Sequence, residues 1–273
     1  KVMGMAPYGK SKYIDKIKKI IKIYDDGSFE LNLDYFAFHK SLKKSYSNKF
    51  IKLFGKPRDS ASKFFTRTAG WPSYFGPMPE KEKYEELAEE QEYYADIAAS
   101  VQLFTEEIII KLAKEAFKLT GLKKLCFAGG VALNSAANWQ ILKKTDFDEI
   151  FIQPSAGDGG AALGAALAVY HIGLNQKKKF ILNHAYYGQD YSSKDIEKAI
   201  EENNIKKFDF IADEEKLIQL VTDYLIEGKV IGWFHGRFEW GPRALGARSI
   251  LADPRRAEMK DIVNTKIKFR EPY

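Results

Sequence analysis

The sequence predicts an α/β protein with parallel strands, organised as about two domains. Strands and helices alternate from Leu125 to Tyr170, the pattern of a parallel layer. A separate apolar run, Val230 to Phe234, follows two helical stretches much later in the chain and starts a further strand. At 273 residues with 45% hydrophobic content, the chain is long enough to bury a sizeable core.

Taken in order, residues 1–10 read as a loop broken by Gly4, Pro7 and Gly9. Ile14, Ile17, Ile20 and Ile21 have helical spacing and predict a helix over 13–23. Asp25-Asp26-Gly27 is a turn into an alternating strand at Phe29, Leu31 and Leu33. From Tyr35 to Pro79 the pattern is aromatic, basic and irregular, and reads as loops and short helices forming a lid or insertion. Tyr94, Ile97, Ala98, Val101, Phe104, Ile108 and Leu112 recur at three- and four-residue steps, so 80–119 is the strongest helix, whole or in two pieces, with Gly121 as its C-cap. The alternating part follows: strand Leu125 to Phe127, helix Ala136 to Lys143, strand Glu149 to Ile152, helix Gly160 to Tyr170. After a polar linker, Ala185 to Gly188 reads as a short strand, and helices span 192–203 and 213–227. Gly228 stops the second of these, and Met259 to Asn264 is a short helix.

The net charge of +6 is spread over Lys40, Lys43, Lys44, Lys49, Lys52, Lys177 to Lys179 and a late arginine stretch. No recognised nucleic-acid motif accompanies it, so a lysine-rich solvated surface is expected and nucleic acid is not an expected partner. A single cysteine, Cys126 in an apolar run, excludes an intrachain disulfide and suits a reducing, cytoplasmic compartment. The longest low-charge run, Gly159 to Leu174, is too short to span a bilayer. Beginning at Lys1 in mid-motif and stopping at Tyr273, the chain reads as a piece of a longer protein.

Chemistry concentrates in three turns. Gly236 to Ser249 holds Arg237, Arg243 and Arg248 among glycines, a proline and the aromatics Trp233, Phe234, Phe238 and Trp240, with no aspartate or lysine between the arginines. Guanidinium forks match phosphate and carboxylate oxygens, and crowded like charges favour an anion among them; the expectation is an anion pocket, with a solvated basic loop as the alternative. Between the first strand and helix of the alternating part, Gly129-Gly130 offers backbone N–H groups to an anion. Asn134 is placed either to hydrogen-bond a ribose or phosphate or to cap the helix. After the second strand, Gly157-Asp158-Gly159 puts a carboxylate in a glycine turn, where it either ligates a cation or caps a helix. Lys266, Lys268 and Arg270 would share one face of a strand at the chain's end. No nucleophilic triad or histidine metal spacing is legible.

Together Met3 to Gly9, Ala95 to Gln102, Ala128 to Ser135, Gly157 to Ala166, Gly236 to Arg255 and Lys268 to Glu271 resemble the NodU/CmcH-type O-carbamoyltransferases, in that family's order. The resemblance implies that residues 1–173 are the later half of a Kae1-like domain of actin/Hsp70/sugar-kinase architecture, and residues 183–273 the start of a YrdC-like α/β domain. It implies formation of a carbamoyl-adenylate from carbamoyl phosphate and ATP, then carbamoyl transfer to an acceptor hydroxyl of a small molecule. Arg237, Arg243, Arg248, Lys268 and Arg270 would neutralise phosphates and developing charge. Gly129, Gly130, Asn134, Gly157 and Gly159 would hold the nucleotide. Asp158 matches the family's metal-binding aspartate, with iron suspected there and magnesium accompanying ATP; the partner histidines would precede Lys1. A homo-oligomer is compatible with this reading. The alternatives are a Kae1-like or sugar-kinase-like ATPase acting on another acceptor, a basic nucleic-acid-binding module, and a scaffold that retains the fold without catalysis.

Overall fold

In the computed structural model, residues 1–59 and 61–269 are described. They form a mixed α/β structure with three two-stranded sheets among the described residues. The chain divides into two compact units, one of residues 1–126, 134–151 and 269, the other of residues 127–133 and 152–268.

The first unit is built on one long helix. A short helix α1 (Val2–Met5) and a 3-10 turn at Ala6–Tyr8 precede α2 (Ile14–Ile20). Strand β1 (Ile21–Ile23) pairs antiparallel with β2 (Phe29–Leu31), Ile21 facing Leu31. α3 (Asn48–Phe54) is capped by Ser47. α4 (Lys81–Thr120) then runs unbroken for 40 residues, about 60 Å at helical rise. Gly121, in the left-handed region at φ 65°, ends it with its N–H on the Phe117 carbonyl. One face of α4 buries Ala88, Gln91, Ala95, Ala98 and Gln102, the small residues letting other segments approach closely. Gly9 meets the Ala95 carbonyl there with no room for a β-carbon. Asp96 fixes the same loop, accepting from Lys10 N–H at 2.6 Å and pairing with Lys12 Nζ at 2.7 Å. An adjacent face packs Ile97, Val101, Phe104 and Ile108 against Ile17 and Phe54. Truncating buried Phe104 to alanine would cost about 3–5 kcal/mol.

β3 (Lys124–Cys126), α5 (Ser135–Lys144) and β4 (Glu149–Phe151) complete this unit. β3 and β4 are parallel, with Lys124 beside Glu149 and Cys126 beside Phe151, as the alternation predicted. Both strand ends open into turns that belong to the second unit.

The second unit contains α6 (Gly160–Ala168), α7 (Ser193–Glu202), α8 (Glu214–Ile226), β5 (Ile231–Phe234), β6 (Arg248–Leu251) and α9 (Met259–Ile262). A full capping box starts α7, Ser192 bonding the Asp195 N–H and the Asp195 carboxylate returning to Ser192. Asp213 caps α8. β5 and β6 pair antiparallel, with Phe234 opposite Arg248, so residues 235–247 form one long hairpin loop.

The structure corrects several sequence expectations. The helix over 13–23 ends at Ile20, because Ile21–Ile23 gains a strand partner. The helix expected over 80–119 is present and unbroken. α6 stops at Ala168 and widens into a π-helical turn, Val169–Gly173, rather than continuing to Tyr170. Ala185 to Gly188 is not a regular strand: it meets the arginine loop's main chain through the Ala185 carbonyl and the Gly188 N–H, while the Tyr186 and Tyr187 N–H groups turn back to His184 Nδ1 and the Ala185 carbonyl. The strand expected at 266–271 is absent over the described part: Lys266 lies in a π-helical turn, Val263–Ile267, that continues α9, and the Lys268 N–H bonds the Val263 carbonyl. Lys266 and Lys268 therefore share no strand face.

Candidate anion-binding loop

The hairpin loop is organised from within by a carboxylate. Glu239 stands between Arg237 and Arg243, and its side chain is 0% exposed. One oxygen, Oε1, accepts from the N–H groups of Leu245 and Ala247 at 2.8 Å each. The other, Oε2, accepts from Arg248 Nε at 3.2 Å. Burial pushes the Glu239 carboxyl up, but the bonds from Ala247, Arg248 and Leu245 outweigh it and hold the group below its ordinary value. An ionised, internally paired carboxylate is thus the post around which the loop folds.

This geometry separates the three arginines. Arg248, 31% exposed, spends its Nε on Glu239 and its Nη2 on the carbonyls of Gly241 and Arg243, at 3.3 and 3.5 Å. Arg237 is exposed and donates through Nε to the Gly188 carbonyl at 2.9 Å. Arg243 is exposed, with a 3.5 Å contact from Nη2 to the Leu133 carbonyl. Neither has a carboxylate partner among the described residues. The loop therefore offers two guanidiniums whose charge no described carboxylate neutralises.

Arg255 is also satisfied internally. Its Nε and Nη2 clasp Asp253 at 2.8 Å each. That hydrogen bonding lowers the Asp253 carboxyl to about 2 and raises Arg255. Arg256 donates to the Ile226 carbonyl at 2.7 Å.

The same unit brings the two glycine turns to the arginine loop. The Trp240 indole N–H donates to Gln153 Oε1 at 3.1 Å. Gly241, at φ 104°, lies against the Pro154 carbonyl with no space for a β-carbon. The two turns are tied by the Gly129 N–H on the Ala156 carbonyl at 2.8 Å, and a β-carbon at Gly157 would stand 3.7 Å from Gly130 Cα. The Gly129 N–H is therefore already used, while Gly129, Gly130 and Gly159 remain exposed.

The expected site residues divide between the units. Gly129, Gly130, Gly157, Asp158, Gly159, Arg237, Arg243, Arg248 and Lys268 all belong to the second. Asn134 belongs to the first, where its Oδ1 caps α5 through the Ala137 N–H at 3.2 Å and its amide exchanges bonds with Gln102. Lys268 is exposed, and Arg270 lies outside the described residues. Asp158 is exposed in the turn before α6; its main-chain carbonyl receives the Ala161 N–H at 3.0 Å. The cap position of α6 is Gly159, without a side-chain bond, so the Asp158 carboxylate is not spent on capping. No group of three potential metal ligands occurs among the described residues. Asp158 fits one oxygen ligand of a cation and supplies no complete site.

Sequence reasoning missed Glu239, Gln153 and the segment around Tyr186. For Glu239 a signal was present: one acid enclosed by Phe238 and Trp240 inside a run of arginines. Gln153 and Tyr186 act through contacts distant in sequence and have no local signature.

Comparison with known proteins decides the family. The model of the carbamoyltransferase N-terminus matches residues 1–167, and that of the carbamoyltransferase C-terminus matches residues 222–273. The chain belongs to the carbamoyltransferase family. Membership makes it a transferase sequence, and residues 168–221 fall in neither match. An uncharacterized protein of Synechocystis is 38% identical over all of the chain, which covers 41% of that relative. The nodulation protein NolO of Bradyrhizobium diazoefficiens is 34% identical over all of the chain and 43% of its own length. For the nodulation protein NolNO of Sinorhizobium fredii the values are 33%, all of the chain and 35%. The chain thus spans about two-fifths of the relatives it matches. No helix among the described residues is long and apolar enough to cross a membrane.

Proposed function

We propose that this chain is part of an O-carbamoyltransferase that forms a carbamoyl-adenylate from carbamoyl phosphate and ATP and passes the carbamoyl group to an acceptor hydroxyl. The observation that carries the reading is the arginine loop: Arg237 and Arg243 are exposed without a carboxylate partner, on a loop fixed by Glu239 and tied to the two glycine turns. In this reading Arg237 and Arg243 bind the phosphate oxygens and stabilise charge as it develops. Arg248 shapes the loop through Glu239 and turns its remaining charge toward the same ligand. Lys268 adds a cation, and Arg270 is assigned the same role by the family resemblance alone. Gly130, Gly157 and Gly159 let the nucleotide approach the backbone, Gly129 keeping the turns together. Asn134 contributes by holding the start of α5.

Water first takes the phosphate from carbamoyl phosphate, leaving carbamate and releasing inorganic phosphate; a carbamate oxygen then bonds to the α-phosphorus of ATP as pyrophosphate leaves. The acceptor oxygen then bonds to the carbamoyl carbon as the hydroxyl proton departs and AMP is released. Asp158 would hold one side of a cation, iron in the proposed transfer site, which would supply polarisation of the carbamoyl carbonyl. Magnesium would accompany ATP. Residues 1–173 would belong to a Kae1-like domain and residues 183–273 to a YrdC-like one, working in the cytoplasm on a small hydroxyl-bearing acceptor, with homo-oligomerisation compatible.

The test is pyrophosphate release from ATP by the protein. Release that requires carbamoyl phosphate supports the reading. Release of ADP instead would favour a kinase-like ATPase.

A further inference from the structure

On the arginine loop, and on the segment bonded to it, stand aromatic rings that the chemistry above does not use. The segment Ala185 to Gln189, from the stretch that neither family match covers, is laced to the arginine loop by main-chain bonds. Trp240 N–H donates to Ala185 O at 2.7 Å, Gly188 N–H to Phe238 O at 2.9 Å, and Phe238 N–H to Gln189 O at 3.1 Å. Arg237 Nε bonds the Gly188 carbonyl, and Gly188 packs on Phe238 so closely that a β-carbon there has no room. The segment is therefore a fixed wall of the loop.

Two rings here, Tyr186 of this wall and Phe238 of the loop it backs, are held in place yet open to solvent. Tyr186 is 39% exposed, with its hydroxyl 3.4 Å from the Leu245 carbonyl. Phe238 is 37% exposed, with the Arg248 guanidinium 5.8 Å from its ring centre and Phe234 and Tyr191 edge-on at 4.9 and 6.0 Å. Scattered exposed rings need no explanation. Phe238 follows Arg237 in the chain, and Tyr186 is held at Leu245, two residues after Arg243, so the two rings and the two exposed guanidiniums are carried by one laced piece of backbone. That pairing complements one class of small molecule, a planar ring joined to phosphate, because bases stack on aromatic faces while arginines take the phosphate oxygens.

We infer that Tyr186 and Phe238 form a stacking subsite for the base of a nucleotide whose phosphates meet Arg237 and Arg243. This rests on the proposed function for the arginine loop and extends it to the ring-bearing end of the ligand. It also places part of ligand selectivity in residues 185–189.

Two ligands separate the halves of the claim: ATP, and inorganic tripolyphosphate, which has the charge without the base. Binding of each to the full chain and its variants is measured by calorimetry. Tyr186→Ala is expected to weaken ATP by about 5- to 150-fold, the range for loss of one stacked base, and to leave tripolyphosphate unchanged. Tyr186→Phe keeps the ring, loses the bond to Leu245, and is expected to bind ATP as the wild type does. Phe238→Ala should repeat the ATP-selective loss. If Tyr186→Ala and Phe238→Ala bind ATP normally, or weaken both ligands equally, the stacking subsite is overturned while the arginine reading stands. If the wild-type chain binds neither ligand, the arginine reading falls first and the subsite with it.

Discussion

Replacing Glu239 by alanine should loosen the arginine loop from inside. Three bonds vanish: two from backbone N–H groups at 2.8 Å and one from Arg248 Nε at 3.2 Å. Breaking a buried, hydrogen-bonded charge pair costs about 3–5 kcal/mol. Arg248 is 31% exposed, so water recovers part of its share, leaving about 2–4 kcal/mol. Glutamine at the same position keeps one carbonyl oxygen for the two N–H groups but turns an amide donor toward Arg248. It should lose about one charge-assisted bond, roughly 1.5–3 kcal/mol. The assay is amide hydrogen exchange at Leu245 and Ala247, the two donors the carboxylate holds. Glu239→Ala should lower their protection by about 30- to 1000-fold, while Glu239→Gln retains most of it. Protection in Glu239→Ala within threefold of wild type would refute the idea that this carboxylate organises the loop.

Other outcomes follow from the same geometry. Arg243→Ala should leave thermal stability nearly unchanged, since its one polar contact is 3.5 Å long, yet reduce pyrophosphate release at least a hundredfold; wild-type turnover would contradict its role. Arg248→Ala should lower both stability and turnover, because it unpairs Glu239, and a melting temperature equal to wild type would count against that pairing. Asp253 has its folded-state pKa depressed to about 2 from 3.8, so the stability it confers is complete above pH 3.8 and lost as pH falls toward 2. Asp253→Asn should flatten the acid-unfolding profile across that window, and an unchanged profile would remove the Arg255 clasp from the account. Asp158→Asn should leave stability unaltered, its carboxylate bonding no described residue, and impair carbamoyl transfer more than pyrophosphate release; equal loss in both would argue against a separate transfer role.

Much of the scaffold was legible in the sequence because its signals are local. The alternation from Leu125 onward gave the parallel pair β3 and β4, and Ser192 and Asp213 marked the starts of α7 and α8 within a residue. The apolar stripe of α4 was legible at Ile97, Val101, Phe104 and Ile108, but its second buried face was not. That face carries Gln91 and Gln102, and buried glutamines look like surface in a hydrophobic count. The candidate site was legible as a cluster of arginines, but the difference among them was not. Glu239 makes them unequal, satisfying Arg248 and leaving Arg237 and Arg243 exposed. The aromatic wall escaped notice because Tyr186 meets Leu245 only through the fold, and Ala185 to Gly188 bonds too irregularly to form a strand. Lys266 shows the opposite failure: alternating basic and apolar residues imitate a strand, while Lys266 and Ile267 lie in the π-helical turn that continues α9.

Calorimetric titration of carbamoyl phosphate into the full chain, beside the Arg237→Ala/Arg243→Ala double variant, tests the central assignment most directly. The wild type should bind with an affinity that falls as salt rises, and the double variant should show no binding while the amides of Leu245 and Ala247 stay protected. Equal binding by both proteins would contradict the assignment of these two guanidiniums to the ligand.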